Sequence, residues 1–170
     1  MTSLSDLLGL SRRELGHRLQ QGHPVEVESL ANREFHGVAL GLPRFVERLT
    51  WKKFKKVFVT HETGLQGYNE AVTQNGLQAP WISRTRRGEP VRYGYFEVRP
   101  AERGLLIDYG PPAHRFNPMR FVQDPLVAVD EGSSELLLGV SILALGRFRV
   151  PTPTYFALLP GDPIPVGVSR

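Results

Sequence analysis

The chain is predicted to fold as a mainly β protein: a single antiparallel β-barrel or strongly bent sheet preceded by short N-terminal helices. Three observations predict it. From about Phe54 onward, segments rich in Val, Ile, Leu, Tyr and Phe recur at roughly ten- to twenty-residue spacing. Turn-forming clusters separate them: Thr63-Gly64, Asn75-Gly76, Arg87-Gly88-Glu89-Pro90, Gly110-Pro111-Pro112 and Glu131-Gly132-Ser133. Finally, 17 glycines and 14 prolines in 170 residues suit many tight turns better than long helices. A βαβ fold would need helical segments between the strands, and the turn clusters leave no room for them.

Taken in order, Leu4, Leu7 and Leu8, then Leu15 and Leu19, recur at helical spacing and predict two short helices. Ser3 or Ser5 can cap the first, and Ser11 with Glu14 forms a capping box for the second. Gly22-His23-Pro24 ends them. Such a leader would plug one end of a barrel or pack on a partner. Residues 25–31 read as a connector and 33–40 as a first strand. Pro43 opens a predicted helix over 43–50. Strands are predicted over 54–60, 67–73, 91–99, 104–109, 126–130, 136–145 and 154–159. Residues 78–90 form the longest polar connection, 111–118 a proline-rich loop, and the end of the chain a loosely ordered tail. The predicted division is a helical segment 1–24, a barrel 25–160 and a tail 161–170. Alternation is clearest in 91–99, where Val91, Tyr93, Tyr95 and Glu97 face one way and Arg92, Gly94, Phe96 and Val98 the other.

Composition narrows the class. Hydrophobic residues at 41% and charged residues at 22% exclude a wholly disordered chain. The absence of cysteine removes disulfides, thiol catalysis and thiolate metal sites. Met1 to Gln21 has no continuous apolar stretch, so it does not read as a signal peptide. No apolar run reaches the ~20 residues of a membrane-spanning helix. The expectation is a soluble, cytoplasmic protein.

Certain local patterns resemble a group of small bacterial proteins of unknown function marked by a Gly-x-Trp-x-Gly motif. Arg33-Glu34-Phe35-His36-Gly37 stands where that motif would be, with Arg33 and Phe35 replacing its first glycine and its tryptophan. Residues 42–58, with Trp51 and the lysines, are similar to a following Trp/Lys/Phe segment. Asp108-Tyr109-Gly110 and the stretch from Asp124 to Asp130 look like a later Asp-Tyr-Asp-Gly turn and an Asp-rich strand. The resemblance spans roughly residues 30 to 145 and implies a lipocalin-like (calycin-like) barrel with no assigned chemistry.

Three site hypotheses come from the residues themselves. The first is a barrel lumen binding a mostly apolar small molecule, lipid-, terpenoid- or polyketide-like. Tyr68, Tyr93, Tyr95, Phe96 and Tyr155 supply rings, and Arg92 an anchor for an acidic headgroup. Its competitor is a barrel filled by its own side chains. The second is a barrel-pocket enzyme moving protons, an isomerase, cyclase or dehydratase, with Asp108 as base and His36 or Tyr109 as acid. Ordinary turn chemistry at Asp108 and a surface histidine at position 36 are the plainer readings. Asn117 and Arg120 could approach the same rim.

The third concerns the lysines, all four of which fall at Lys52, Lys53, Lys55 and Lys56 among Trp51, Phe54 and Phe58. With Arg84, Arg86 and Arg87 they would form an anion-binding patch for lipid headgroups or nucleic acid. The favoured alternative is an exposed edge strand whose lysines block edge-to-edge pairing. A net charge of +4 and the lack of a nucleic-acid motif make nucleic acid the weakest partner and peripheral contact with an anionic membrane the stronger one. No histidine pair has metal-ligand spacing, and no glycine-rich phosphate loop or nucleophile elbow is present, so neither metal nor cofactor is predicted. Oligomeric state is left open by the sequence.

Overall fold

In the computed structural model, which describes residues 1–41, 52–110, 119–145 and 148–164, strands close into one antiparallel barrel. Its strands are β1 (Arg33–Leu40), β2 (Lys53–His61), β3 (Gly64–Ala71), β6 (Arg92–Ala101), β7 (Gly104–Asp108), β8 (Val122–Ala128), β9 (Leu137–Leu145) and β10 (Phe148–Pro163). Around the barrel the order is β1-β10-β9-β8-β7-β6-β3-β2, each strand beside its sequence neighbour and β10 returning to β1. This is an up-and-down meander, in which closure removes every edge. Within the β3–β6 connection a hairpin is inserted, formed by β4 (Thr85–Arg86) and β5 (Glu89–Pro90). Arg87 at φ 56° and Gly88 at φ 86° give its two-residue turn the left-handed conformation that tight hairpins require.

Two-residue turns join β2 to β3 and β6 to β7 at one end, here the turn end, where a longer link also joins β8 to β9. The connections from β1 to β2, β3 to β6, β7 to β8 and β9 to β10 lie at the other, here the loop end. Helices α1 (Leu4–Leu8) and α2 (Arg12–Gln20) start at Ser3 and Ser11, each with a complete capping box. They lie on the outer wall, where Leu7 and Leu15 pack with Val38, Leu40, Val127, Leu138 and Ala157. The chain then crosses the turn end through α3 (Val27–Leu30), a helical turn within the segment read as a connector. Val25 and Leu30 join the barrel core with Phe35, Phe58, Leu65, Leu105 and Leu126, so this segment stoppers the turn end.

Differences from the sequence reading are local. The strict alternation in 91–99 breaks at Gly94. Gly67 pairs with Phe96 while Asn69 pairs with Tyr93, which leaves one extra residue on β6. Gly94 takes φ 54° there, and a Cβ would lie 2.6 Å from the Met119 sulfur and 2.7 Å from Asn69 Nδ2. Tyr93 and Phe96 therefore face inward together, which simple alternation forbids. The last strand runs on to Pro163, beyond the predicted barrel boundary, because after an irregularity at Gly161 and Asp162 the pairing resumes between Pro163 and Arg33 of β1. The helix expected over 43–50, the loop 111–118, Trp51 and Asn117 lie outside the described residues. No described helix is long and apolar enough to cross a membrane.

Candidate functional site

Three inward-facing phenylalanines each lie on a glycine directly opposite in the neighbouring strand: Phe54 on Gly37, Phe96 on Gly67 and Phe156 on Gly139. A Cβ at those glycines would fall 2.3 to 2.6 Å from the facing ring, so only glycine lets the rings lie flat across the interior. Together with Tyr109 they box in one atom, the Nζ of Lys56. It stands 5.6 Å from the ring centre of Phe54, 5.1 Å from Phe96, 5.1 Å from Tyr109 and 5.3 Å from Phe156. These distances are within cation–π range.

Lys56 is 2% exposed and its ammonium has a polar partner for each proton. Nζ donates to Asn69 Oδ1 at 2.9 Å, to Asp124 Oδ2 at 3.3 Å and to the Tyr109 hydroxyl. Tyr109 in turn donates to Asp124 Oδ2 at 3.0 Å. Asn69 Nδ2 donates to the Gly94 carbonyl at 3.2 Å and to the Tyr109 hydroxyl at 3.3 Å, which fixes the amide's orientation. The second carboxylate oxygen, Asp124 Oδ1, is buried without a hydrogen-bond partner. Burial drives the Lys56 pKa below its ordinary value, against the opposing pull of Asp124. Burial first, then the Asp124 charge, pushes the Tyr109 phenol well above its own. Nearby, Tyr93 is pushed up to about 12 by burial.

Lys56 on β2, Asn69 on β3, Tyr109 directly after β7 and Asp124 on β8 thus form a buried quartet. Chemically it offers an amine whose pKa burial lowers, a phenol whose pKa burial raises, and a carboxylate oxygen able to accept one more hydrogen bond.

The structure overturns both readings of the lysine cluster. A closed barrel has no edge to protect, since β2 lies between β1 and β3. Nor do the lysines form a solvent-facing patch. Lys53 is 1% exposed under the 74–81 segment, where Nζ donates to Asn75 Oδ1, Gly76 O and Ala79 O, each at 2.8 Å. The Trp81 ring centre stands 4.0 Å from the same nitrogen. Lys55 pairs with Glu34 at 3.0 Å. Lys52 is half-buried, and Arg84, Arg86 and Arg87 are exposed around the β4–β5 hairpin without lysine ammoniums at 53 and 56 to join them. The signal for Lys56 was in the sequence: period-two alternation puts it on the face of Phe54 and Phe58.

The Asp108–His36 dyad is also corrected. Both side chains point out of the barrel, because Ile107, Tyr109 and Phe35 take the inward positions beside them. Strands β1 and β7 stand four places apart in either direction around the ring, so the two groups are on opposite sides of the molecule. Asp108 pairs with Arg99 at 3.3 Å and accepts from the Gly110 amide. His36 stacks on Trp81 at 4.6 Å and bonds Glu34 at 3.3 Å. Tyr109 alone of that trio is inside.

The proposed ligand-lining set divides likewise. Tyr93 and Phe96 face inward. Tyr68 and Tyr95 pair on the outer wall at 5.8 Å, with the Arg92 guanidinium 4.6 Å above Tyr68. Tyr155 packs outside with the leucines that hold α1 and α2. Arg120 is exposed and stacks on Phe121 at 4.6 Å. Among the described residues, no three potential ligand side chains converge to hold a metal ion. A surface cleft of about 390 Å³ lined by Met1, Thr2, Asp6, Leu7, Leu10 and Arg18 lies on the outer wall, away from the quartet.

No protein-family model matches the chain, and searches of curated proteins and of solved structures give no match either.

Proposed function

We propose that this protein is a small-molecule-binding barrel of the cytoplasm whose ligand is mostly apolar and carries one polar head. The head would be recognised by the quartet of Lys56, Asn69, Tyr109 and Asp124. One observation carries the reading: the fold buries an ammonium and a carboxylate where apolar side chains would pack, and leaves Asp124 Oδ1 unpartnered. Burying such a pair is rarely worth its desolvation cost to stability alone, which favours a role in recognition. A hydroxyl or other hydrogen-bond donor on the ligand would complete Asp124, while Phe54, Phe96 and Phe156 would contact the apolar body. Titration with n-decanol tests the reading through the ring NMR signals of the three phenylalanines. Saturable shifts support it; unmoved rings across decanol and shorter alcohols overturn it.

A second reading, proton-transfer catalysis, is favoured by a different detail. The Tyr109 hydroxyl is shared by Lys56 and Asp124, a ready proton path. Under that reading, deuterium from solvent would enter the α-carbon of a bound ketone, and a variant with Tyr109→Phe would slow the exchange.

A further inference from the structure

Among the titratable groups of the described residues, Lys56 is the one whose surroundings suit covalent chemistry. The outer-wall ion pairs of Glu34 with Lys55 and His36, and of Arg99 with Asp108, join partly exposed groups to one another outside the barrel. Lys53 is engaged in holding the 74–81 segment. The quartet differs in having a primary amine in a cage of rings, a carboxylate on that amine, and a second carboxylate oxygen with nothing to bind.

We infer that Lys56 is a covalent attachment point, its Nζ condensing with the aldehyde or ketone carbonyl of an apolar ligand to form an imine held against Asp124. This rests on the small-molecule reading above and deepens it by naming the ligand class.

The groups present balance the step. The Lys56 ammonium passes one proton to the Asp124 carboxylate 3.3 Å away, which frees the nitrogen lone pair. The amine attacks the carbonyl carbon, and the proton it then carries moves to the carbonyl oxygen, giving a neutral carbinolamine. That new hydroxyl has a waiting acceptor in Asp124 Oδ1. The Asp124 acid returns its proton to the hydroxyl, water leaves, and the nitrogen lone pair closes the C=N bond. The product is a protonated imine beside a restored carboxylate, so net charge in the cage is unchanged and one water is released. No oxidant or reductant enters. The lowered pKa of Lys56 makes the neutral amine easier to reach than for a lysine in water. Tyr109, donating to Asp124 Oδ2, is a positioning residue that holds the carboxylate against Lys56.

The test incubates the full chain with benzaldehyde or n-decanal, adds sodium cyanoborohydride, and maps the reduced adduct by peptide mass spectrometry. The expected result is one adduct, on Lys56, formed faster than at Lys52, Lys55 or the N-terminal amine, and lost in a variant with Lys56→Arg. Because that variant could misfold, the wild-type map is decisive alone, and a variant with Lys56→Met and Asp124→Asn, checked by circular dichroism, gives a second control. Saturable decanol binding with adducts only on other amines overturns the imine and leaves the small-molecule reading standing. Absence of decanol shifts together with absence of a Lys56 adduct overturns both.

Discussion

Lys56 shows how one residue can work against the fold that holds it. Removing an ammonium and a carboxylate from water costs several kcal/mol for each ion, and the Lys56–Asp124 attraction, with Asn69 and Tyr109 filling the remaining sites, offsets that cost. Deleting one partner strands the other. Lys56→Met alone is therefore expected to lose about 3–5 kcal/mol of stability, because Asp124 is left charged and buried. Replacing both, Lys56→Met with Asp124→Leu, should be neutral or stabilising by about 1–4 kcal/mol. Urea unfolding of the three proteins measures this. A single variant as stable as wild type would mean that the ion pair contributes nothing in solution. Gly94 carries a second single-residue constraint, since its φ of 54° and the 2.6 Å approach of the Met119 sulfur both exclude a side chain.

At the scale of strands, the interior is built from cross-strand glycine–phenylalanine pairs, in which the ring covers the glycine and fills the space its missing side chain leaves. Gly37→Ala would drive a methyl group into the Phe54 ring at 2.3 Å, and is expected to cost about 1–3 kcal/mol as overpacking. Combining it with Phe54→Leu should recover part of that loss, a non-additivity readable in a double-mutant cycle by chemical denaturation. Simple additivity would show that the pair does not pack as described. These pairs also mark what the sequence could and could not disclose. Strand existence was legible from β-rich runs and turn clusters, and β1 falls on its predicted bounds because Arg33–Leu40 is framed by Asn32 and Gly41, both with positive φ. Which phenylalanine meets which glycine depends on register, and register is a long-range property that no local pattern encodes. The bulge at Gly94 was hidden for the same reason: it is defined by the count of residues on β3 opposite, not by anything within β6. The lysines misled because they cluster in sequence, while period-two geometry sends Lys53 and Lys55 outward and Lys56 inward. Lys53 is then covered by a segment some twenty residues away, so its burial could not be read locally either. Replacing it with Met should loosen the 74–81 segment and leave the barrel intact, seen as faster amide exchange there alone.

For the whole molecule, the buried titratable groups predict how stability depends on pH at the alkaline end. Tyr93 is pushed up to about 12 and Tyr109 is raised well above the ordinary 10.0, so the folded state holds these protons longer than the unfolded chain does. Their contribution is complete below pH 10 and is lost as pH rises beyond it. Lys56 and Lys53 act in the opposite sense. Burial depresses both below the ordinary 10.5, so in the window beneath that value the unfolded chain binds more protons, and stability climbs as pH rises through it. At the acid end, burial would raise Glu34, but hydrogen bonds from His36 and Lys55 outweigh it and hold it below 4.5. Its contribution is present above 4.5 and is lost as pH falls through the folded value. The expected profile therefore falls at acid pH, rises toward pH 10, and turns down above it. Two variants separate the alkaline limbs: Lys56→Met with Asp124→Leu should flatten the rise, and Tyr93→Phe should soften the descent. Thermal unfolding across pH, with tyrosinate absorbance followed in parallel, reads both. If Tyr93 and Tyr109 are enclosed as described, their absorbance change coincides with unfolding; ionisation of all tyrosines near pH 10 in a still-folded chain would show the barrel interior open to water.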